Sequence, residues 1–285
     1  MYLPLVVGVD GSESSLRAVD WAADEADLHE VPLLVVFGNL WERYEGAALA
    51  RELGRPSTEM KAEDILEAAA RRARQRHPDL VVTTETVPDE AEHALVRAGR
   101  NASMIIVGSR GRSGVADRLL GSVSRTVAAL SDCPVVVVRG NHDNRALGGR
   151  HDRIVVGIGA GETSASVLRL AFTEAQLRHV PLAAVRAWRC PAHETVDHPL
   201  LTGEPARLYE ERAAKELETA LENAPSDVAV GRYTVEGPAR AVLPAASADA
   251  GLLVIGRRVH GRLGRVAHAV LHRSACPVVV VPERT

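Results

Sequence analysis

Apolar residues along this chain follow two rhythms: short unbroken runs rich in β-branched residues, and longer segments where apolar positions recur every three or four residues. Leu5–Val9 is short, β-branched and continuous, the pattern of a strand covered on both faces. Ser12 and Ser14 are then placed to cap a helix whose Leu16, Val19, Ala23 and Ala26 share one face. Leu33–Phe37 predicts the second strand. A long loop follows, then a helix over Glu59–Arg76 with Ile65, Leu66, Ala69 and Ala73 turned inward. Leu80–Val87 predicts a third strand, and Pro88 suits the first turn of a helix carrying Ala91, Ala94, Leu95 and Ala98. Met104–Val107 is the fourth strand, Leu119–Leu130 a helix, and Val135–Val138 the fifth strand. Pro134 opens that strand, where a missing N–H is tolerated. Strands alternating with helices imply a parallel sheet with helices on both faces.

The whole pattern then repeats. Residues 6–32 align without a gap on residues 155–181 at an offset of 149, Val6-Val7-Gly8 on Val155-Val156-Gly157 and Glu25-Ala26 on Glu174-Ala175. Cys133-Pro134 and the four valines after it match Cys276-Pro277 and its valines at an offset of 143. The second copy is therefore shorter by six residues, and a duplication explains both matches. Its strands are expected at Ile154–Ile158, Leu182–Ala187, Asp227–Val235, Leu252–Ile255 and Val278–Val281, with a helix over Arg207–Asn223. The polar segment Arg139–His151 reads as a linker, giving domains at 1–140 and 152–285. The two valine-rich final strands could pair across the duplication and make the chain a pseudo-dimer; a homodimer is also compatible.

Composition narrows the classes. A length of 285 residues suits two domains, and a net charge of −3 argues against a general nucleic-acid binder. No apolar run is long enough to span a membrane, and the N-terminus enters a strand pattern with no basic segment before it, so neither a membrane span nor a signal peptide is expected. Cys133, Cys190 and Cys276 are too dispersed for a disulfide framework, which favours a reducing, cytoplasmic location.

Two loops in the first copy carry candidate chemistry. One is Gly8-Val9-Asp10-Gly11-Ser12, after the first strand. The other runs from Gly108 to Ser124 after the fourth and has the spacing G-x2-G-x9-G-[ST]. Glycines let backbone N–H groups approach an anion, and the loop leads into a helix N-terminus, which favours phosphate. Ser122 and Ser124 add hydroxyls, and Arg110, Arg112 and Arg118 add positive charge. Ligands of doubly wound sheets sit beyond the strands' carboxyl ends where strand order reverses, so both loops would face one crevice if strands 1 and 4 are neighbours. The run lacks GxxxxGK[ST] and no general base is evident.

With V-G-V-D-G-S, I-V-G-S-R-G-R-S-G, L-L-G-S-V-S and C-P-V-V-V-V in order, the first copy resembles the ATP-binding class of universal stress proteins. The second copy resembles it more loosely. The resemblance implies two tandem five-stranded open sheets of order 3-2-1-4-5, the adenine-nucleotide α-hydrolase-like arrangement. It implies that Asp10 lies at the ribose and phosphate edge and helps hold Mg2+ brought with ATP. Gly108, Ser109, Arg110, Gly111, Arg112, Ser113, Gly114 and Arg118 would line the triphosphate loop. Gly121, Ser122, Val123 and Ser124 would bind phosphates, and Val36 would read adenine through its backbone. The function implied is stress-response regulation through nucleotide occupancy and a regulatory protein partner. A slow ATPase and an interaction module with a vestigial site remain as alternatives, and phosphorylation of Ser122 or Ser124 is a further option.

The second copy departs from the motif. Gly159 stands at the position of Asp10, Arg265 at Ser122 and Ala267 at Ser124. Gly256 and Gly264 are 8 positions apart where Gly108 and Gly121 are 13 apart. One ATP per chain, in the first domain, is the expectation. Arg257, Arg258, Arg262 and Arg265 form a solvated basic loop or a weak anion site. His260, His268 and His272 are more simply a solvated face than a metal site. Cys133 and Cys276 read as core-edge residues, and Trp21, Trp41 and Trp188 as packing residues.

Overall fold

The computed structural model describes residues 3–39, 58–109, 120–139, 153–159, 165–190, 204–258 and 261–283. It divides into two compact units, Met1–Leu147 with Val259–Leu263 and Gly148–Arg258 with Gly264–Thr285.

The first unit runs β1 (Leu5–Gly8), α1 (Glu13–Leu28), β2 (Leu33–Gly38), α2 (Thr58–Arg76), β3 (Val82–Val87), α3 (Ala91–Ala98), β4 (Met104–Gly108), α4 (Ser122–Leu130) and β5 (Val135–Val138). Its sheet has the order β3-β2-β1-β4-β5, every pairing parallel. Helices cover both faces. The unbroken apolar runs are almost wholly buried: Leu5, Val6 and Val7 in β1, Ile105 and Ile106 in β4, and Val135–Val137 in β5. β3 lies at the edge, with Val82 and Val87 buried and Thr83, Thr84 and Glu85 exposed, which lets an edge strand face water without inviting further pairing.

Several boundaries move from those the pattern predicts, for local reasons. β3 starts at Val82 because the Leu80 N–H donates to the His77 carbonyl in a turn. Pro88 stays outside α3, whose N-cap is Glu90, because the Asp89 N–H bends back to the Val87 carbonyl. α4 begins at Ser122, with Gly121 as its N-cap, later than the expected Leu119.

Opposite charges join α1 to α2. The Arg72 guanidinium makes a two-pronged contact with Asp20, 2.6 Å on each prong. One turn on, Arg76 does the same with buried Asp24 at 2.6 and 2.7 Å. His77 adds Nε2 at 2.8 Å from Asp24 and Nδ1 at 3.1 Å from Asp27. A spacing of four residues on each helix puts successive pairs on facing sides.

The second unit runs β6 (Ile154–Ile158), α5 (Ala165–Leu177), β7 (Leu182–Trp188), α6 (Glu204–Ala220), β8 (Val230–Glu236), α7 (Ala239–Ala246), β9 (Leu252–Arg257), α8 (Arg265–Arg273) and β10 (Val278–Pro282). Its sheet has the order β8-β7-β6-β9-β10, again parallel throughout. α6 ends at Ala220, before the expected Asn223, because Leu221 and Glu222 turn back on the carbonyls of Glu218 and Thr219. β8 starts at Val230, after the expected Asp227, because the Val228 N–H turns back on the Pro225 carbonyl. Register follows the duplication: Gly8 sits opposite Val36 as Gly157 sits opposite Val185, and Val7 opposite Ile106 as Val156 opposite Val254.

Candidate functional site

In the first unit β1 lies between β2 and β4, so the connection direction reverses between β1 and β4. Chains leaving these two strands diverge and leave a crevice at their carboxyl ends. Both candidate loops start there.

The β1 exit is self-braced. Gly11 adopts φ +80°, a left-handed conformation that suits glycine, and turns the chain into α1. The Ser12 N–H donates to Asp10 Oδ1 at 2.9 Å, an Asx turn that fixes the carboxylate at the strand end. Ser12 is the N-cap of α1, its Oγ accepting from the Ser15 N–H at 3.2 Å. Ser14, the other expected cap, does different work. It packs on Gly108, where an added Cβ would lie 2.6 Å from the Ser14 carbonyl and from its Oγ. Glycine at the end of β4 therefore lets the first turn of α1 close onto that strand. Asp10 is half-buried, and one N–H leaves its carboxylate with acceptor capacity to spare.

The β4 exit is tied to α4. The Gly121 N–H donates to the Ser109 carbonyl at 2.9 Å, and Ser124 Oγ donates to the Gly108 carbonyl at 2.6 Å. Ser124 is buried, so its hydroxyl proton serves as a latch between helix and strand. The first helical bond runs from the Arg125 N–H to the Gly121 carbonyl at 3.1 Å. The amides of Ser122, Val123 and Ser124 thus precede the helical ladder. Gly121 offers no side chain to cap them, and the first turn carries no acidic residue. α1 contrasts on both counts, with Ser12 as a side-chain cap and Glu13 in its first turn. An uncapped, uncharged N-terminal turn has the donors and the dipole to take an anion.

The expected site residues thus fall into four groups. Gly108, Ser109, Gly121 and Ser124 are bonded or packed around one strand end, with Ser122 exposed and Val123 half-buried beside them. Gly8 and Asp10 stand at the adjoining strand end. Val36 is buried in β2 and its carbonyl accepts the Val9 N–H at 3.0 Å, so that backbone atom takes part in the sheet. Arg110, Gly111, Arg112, Ser113, Gly114 and Arg118 lie outside the described residues, as does Trp41. Ser14 is the contributor the pattern did not assign to this strand end; its spacing from Gly108 carries no sequence signal because the contact is made by packing alone.

Other candidates resolve more simply. The rings of His268 and His272 lie 4.3 Å apart on α8, tilted by 38°, with His268 exposed, and His260 lies outside the described residues. Cys276 is fully buried, and desolvation pushes its thiol up to about 12, while burial also raises Cys133. Neither is a reactive thiolate at neutral pH.

The universal stress protein family profile matches residues 1–139 and again 150–282. Universal stress protein Rv2005c of Mycobacterium tuberculosis is 32% identical over 306 residues, covering 98% of this chain and 97% of that protein. Rv1996 of the same organism is 31% identical, covering 98% of this chain and 94% of its own. Among solved structures, a universal stress protein from Archaeoglobus fulgidus superposes with a TM-score of 0.68 at 21% identity, covering 99% of this chain and 98% of that one. Two profile matches in tandem, full-length relatives and a shared fold place this chain in the universal stress protein family.

Proposed function

We infer that this chain is an adenine-nucleotide-binding stress-response protein of the cytoplasm, and that its first unit holds one ATP. The observation that carries the reading is the contrast between two helix N-termini at the carboxyl ends of neighbouring strands. α1 is capped by its own Ser12, whereas α4 begins at a glycine with no side-chain cap and no carboxylate in its first turn. The amides of Ser122–Ser124 would take phosphate oxygens, and the loop 108–121 would wrap the remaining phosphates. Asp10 would stand by the ribose and phosphate edge and hold Mg2+ brought with the nucleotide, which would neutralise charge that the amides alone do not. Occupancy would bias the conformation that a regulatory partner recognises, to the extent that ATP binds the two states unequally. The second unit, with Gly159 for Asp10 and the shortened loop, is read as nucleotide-free.

Mass spectrometry of ligand released by acid from the purified full chain tests this directly. One adenine nucleotide per chain supports the reading. Protein that carries none, and shows no thermal shift with millimolar MgATP, refutes it.

A further inference from the structure

Strand registers place Phe37 at the position of Arg186 and Asp10 at that of Gly159, and continuing the same offsets along the sequence aligns Arg110 with Arg258 and Gly140 with Glu283, Arg110 and Gly140 lying outside the described residues. The crevice end of the second sheet has thus lost one carboxylate and gained another. The loss is at the end of β6; the gain is one residue beyond β10.

The gained groups meet inside the second unit. A Cβ on Gly159 would lie 2.8 Å from Arg258 Nη2, so the guanidinium covers the spot from which an Asp10-like carboxylate would project. Glu283 Oε2 stands 3.5 Å from Arg258 Nε. The other oxygen of Glu283 crowds the Cβ position of Gly256, the glycine equivalent to Gly108. The Glu283 N–H donates to the Arg257 carbonyl at 2.9 Å, which fixes the residue at the strand end. From β7, Arg186 Nη1 reaches within 3.5 Å of the Ile158 carbonyl, next to Gly159, and its own charge is matched by Glu216 at 2.5 Å. Arg186 and Arg258 therefore each face a carboxylate of their own unit.

We propose that the half-exposed Arg258 and the largely buried Glu283 together form a plug. It occupies the phosphate end of the second crevice, and Glu283 is the residue that denies this crevice to phosphate-bearing ligands. A phosphate entering beside Gly256 meets the Glu283 carboxylate, and it must also detach Arg258 from its partner. Without Glu283, the same guanidinium becomes a phosphate ligand next to α8, whose N-cap is Gly264 with no side-chain cap. Degeneracy of the second unit is then an active exclusion as well as a loss of ligands.

The test is equilibrium dialysis of the full chain against labelled inorganic pyrophosphate, counting anions bound per chain. Glu283→Ala raises the number bound by one over wild type, with at least a tenfold gain in affinity at the added site. The double variant Glu283→Ala/Arg258→Ala loses that increment. Glu283→Gln, which keeps the shape of the residue, shows a smaller gain, and thermal unfolding confirms that each variant folds. An unchanged count in both Glu283 variants overturns the proposal, as does an increment that survives loss of Arg258. Anions bound by the wild type report on the first unit and the increment reports on the second, so the two readings fail separately.

Discussion

Gly121→Asp separates the two properties that the start of α4 combines. Gly121 has φ −65° and ψ 156°, an extended N-cap conformation that aspartate adopts without strain. The new carboxylate would accept from the Val123 or Ser124 amide and place negative charge at the positive end of the helix. Replacing a glycine N-cap by aspartate is worth a few tenths of a kcal/mol, and the dipole adds roughly 0.5 kcal/mol. The first unit should therefore unfold roughly 1–3 °C higher. Nucleotide binding should move the other way. A carboxylate and a phosphate charge about 4 Å apart repel by about 1 kcal/mol in water and about 4 kcal/mol at an effective dielectric of ~20. Ser122 is exposed, so the lower half of that range applies. Losing one charge-assisted amide contact adds about 1.5 kcal/mol. A total near 3 kcal/mol weakens ATP binding by roughly 100-fold. Titration calorimetry with MgATP and apo-protein thermal unfolding read the two effects. Gly121→Asn caps the helix without the charge and should lose far less affinity. Wild-type affinity in Gly121→Asp refutes the anion cradle, and equal losses in the Asp and Asn variants refute its electrostatic part.

Ser124→Ala removes the latch to the Gly108 carbonyl and should cost about 1–2 kcal/mol of stability in urea unfolding, with a several-fold loss of ATP affinity. Asp24→Ala strands the mostly buried Arg76 and should destabilise the first unit by about 3 kcal/mol in the same assay, whereas Asp27→Ala, at a half-exposed carboxylate, should cost under about 1 kcal/mol. Burial raises the Glu216 pKa, but hydrogen bonds and charge from Arg186 and then Arg212 outweigh it and hold the carboxyl below its ordinary 4.5. The stabilisation from this group is therefore present above pH 4.5 and is lost as pH falls through the lowered value. Urea unfolding of Glu216→Gln should differ from wild type at pH 7, and the difference should narrow as the pH falls below 4.5; a gap that does not narrow with acid would contradict the pairing.

Much of this protein is legible in its sequence. The unbroken runs Leu5–Val9, Met104–Val107 and Val135–Val138 announce strands covered on both faces, because only such strands can bury every residue. The offset of 149 residues announces the repeat, and the glycine spacing from Gly108 to Gly121 is the sequence signal from which the anion site is proposed. These signals are local or periodic, so the chain alone carries them. Strand order is different: it entered through family resemblance, because which strands become neighbours depends on how helices cross the sheet. Three-dimensional packing also decided that Ser12 caps α1 while Ser14 closes on Gly108, and that the Ser124 proton goes to a backbone carbonyl. It decided that Asp20 and Asp24 face Arg72 and Arg76 across 52 residues, and that Arg258 finds Glu283 from a neighbouring strand. Apart from the Ser12 cap, which is local, each of those contacts joins residues distant in sequence, and no hydrophobic period or turn motif specifies a partner at that range.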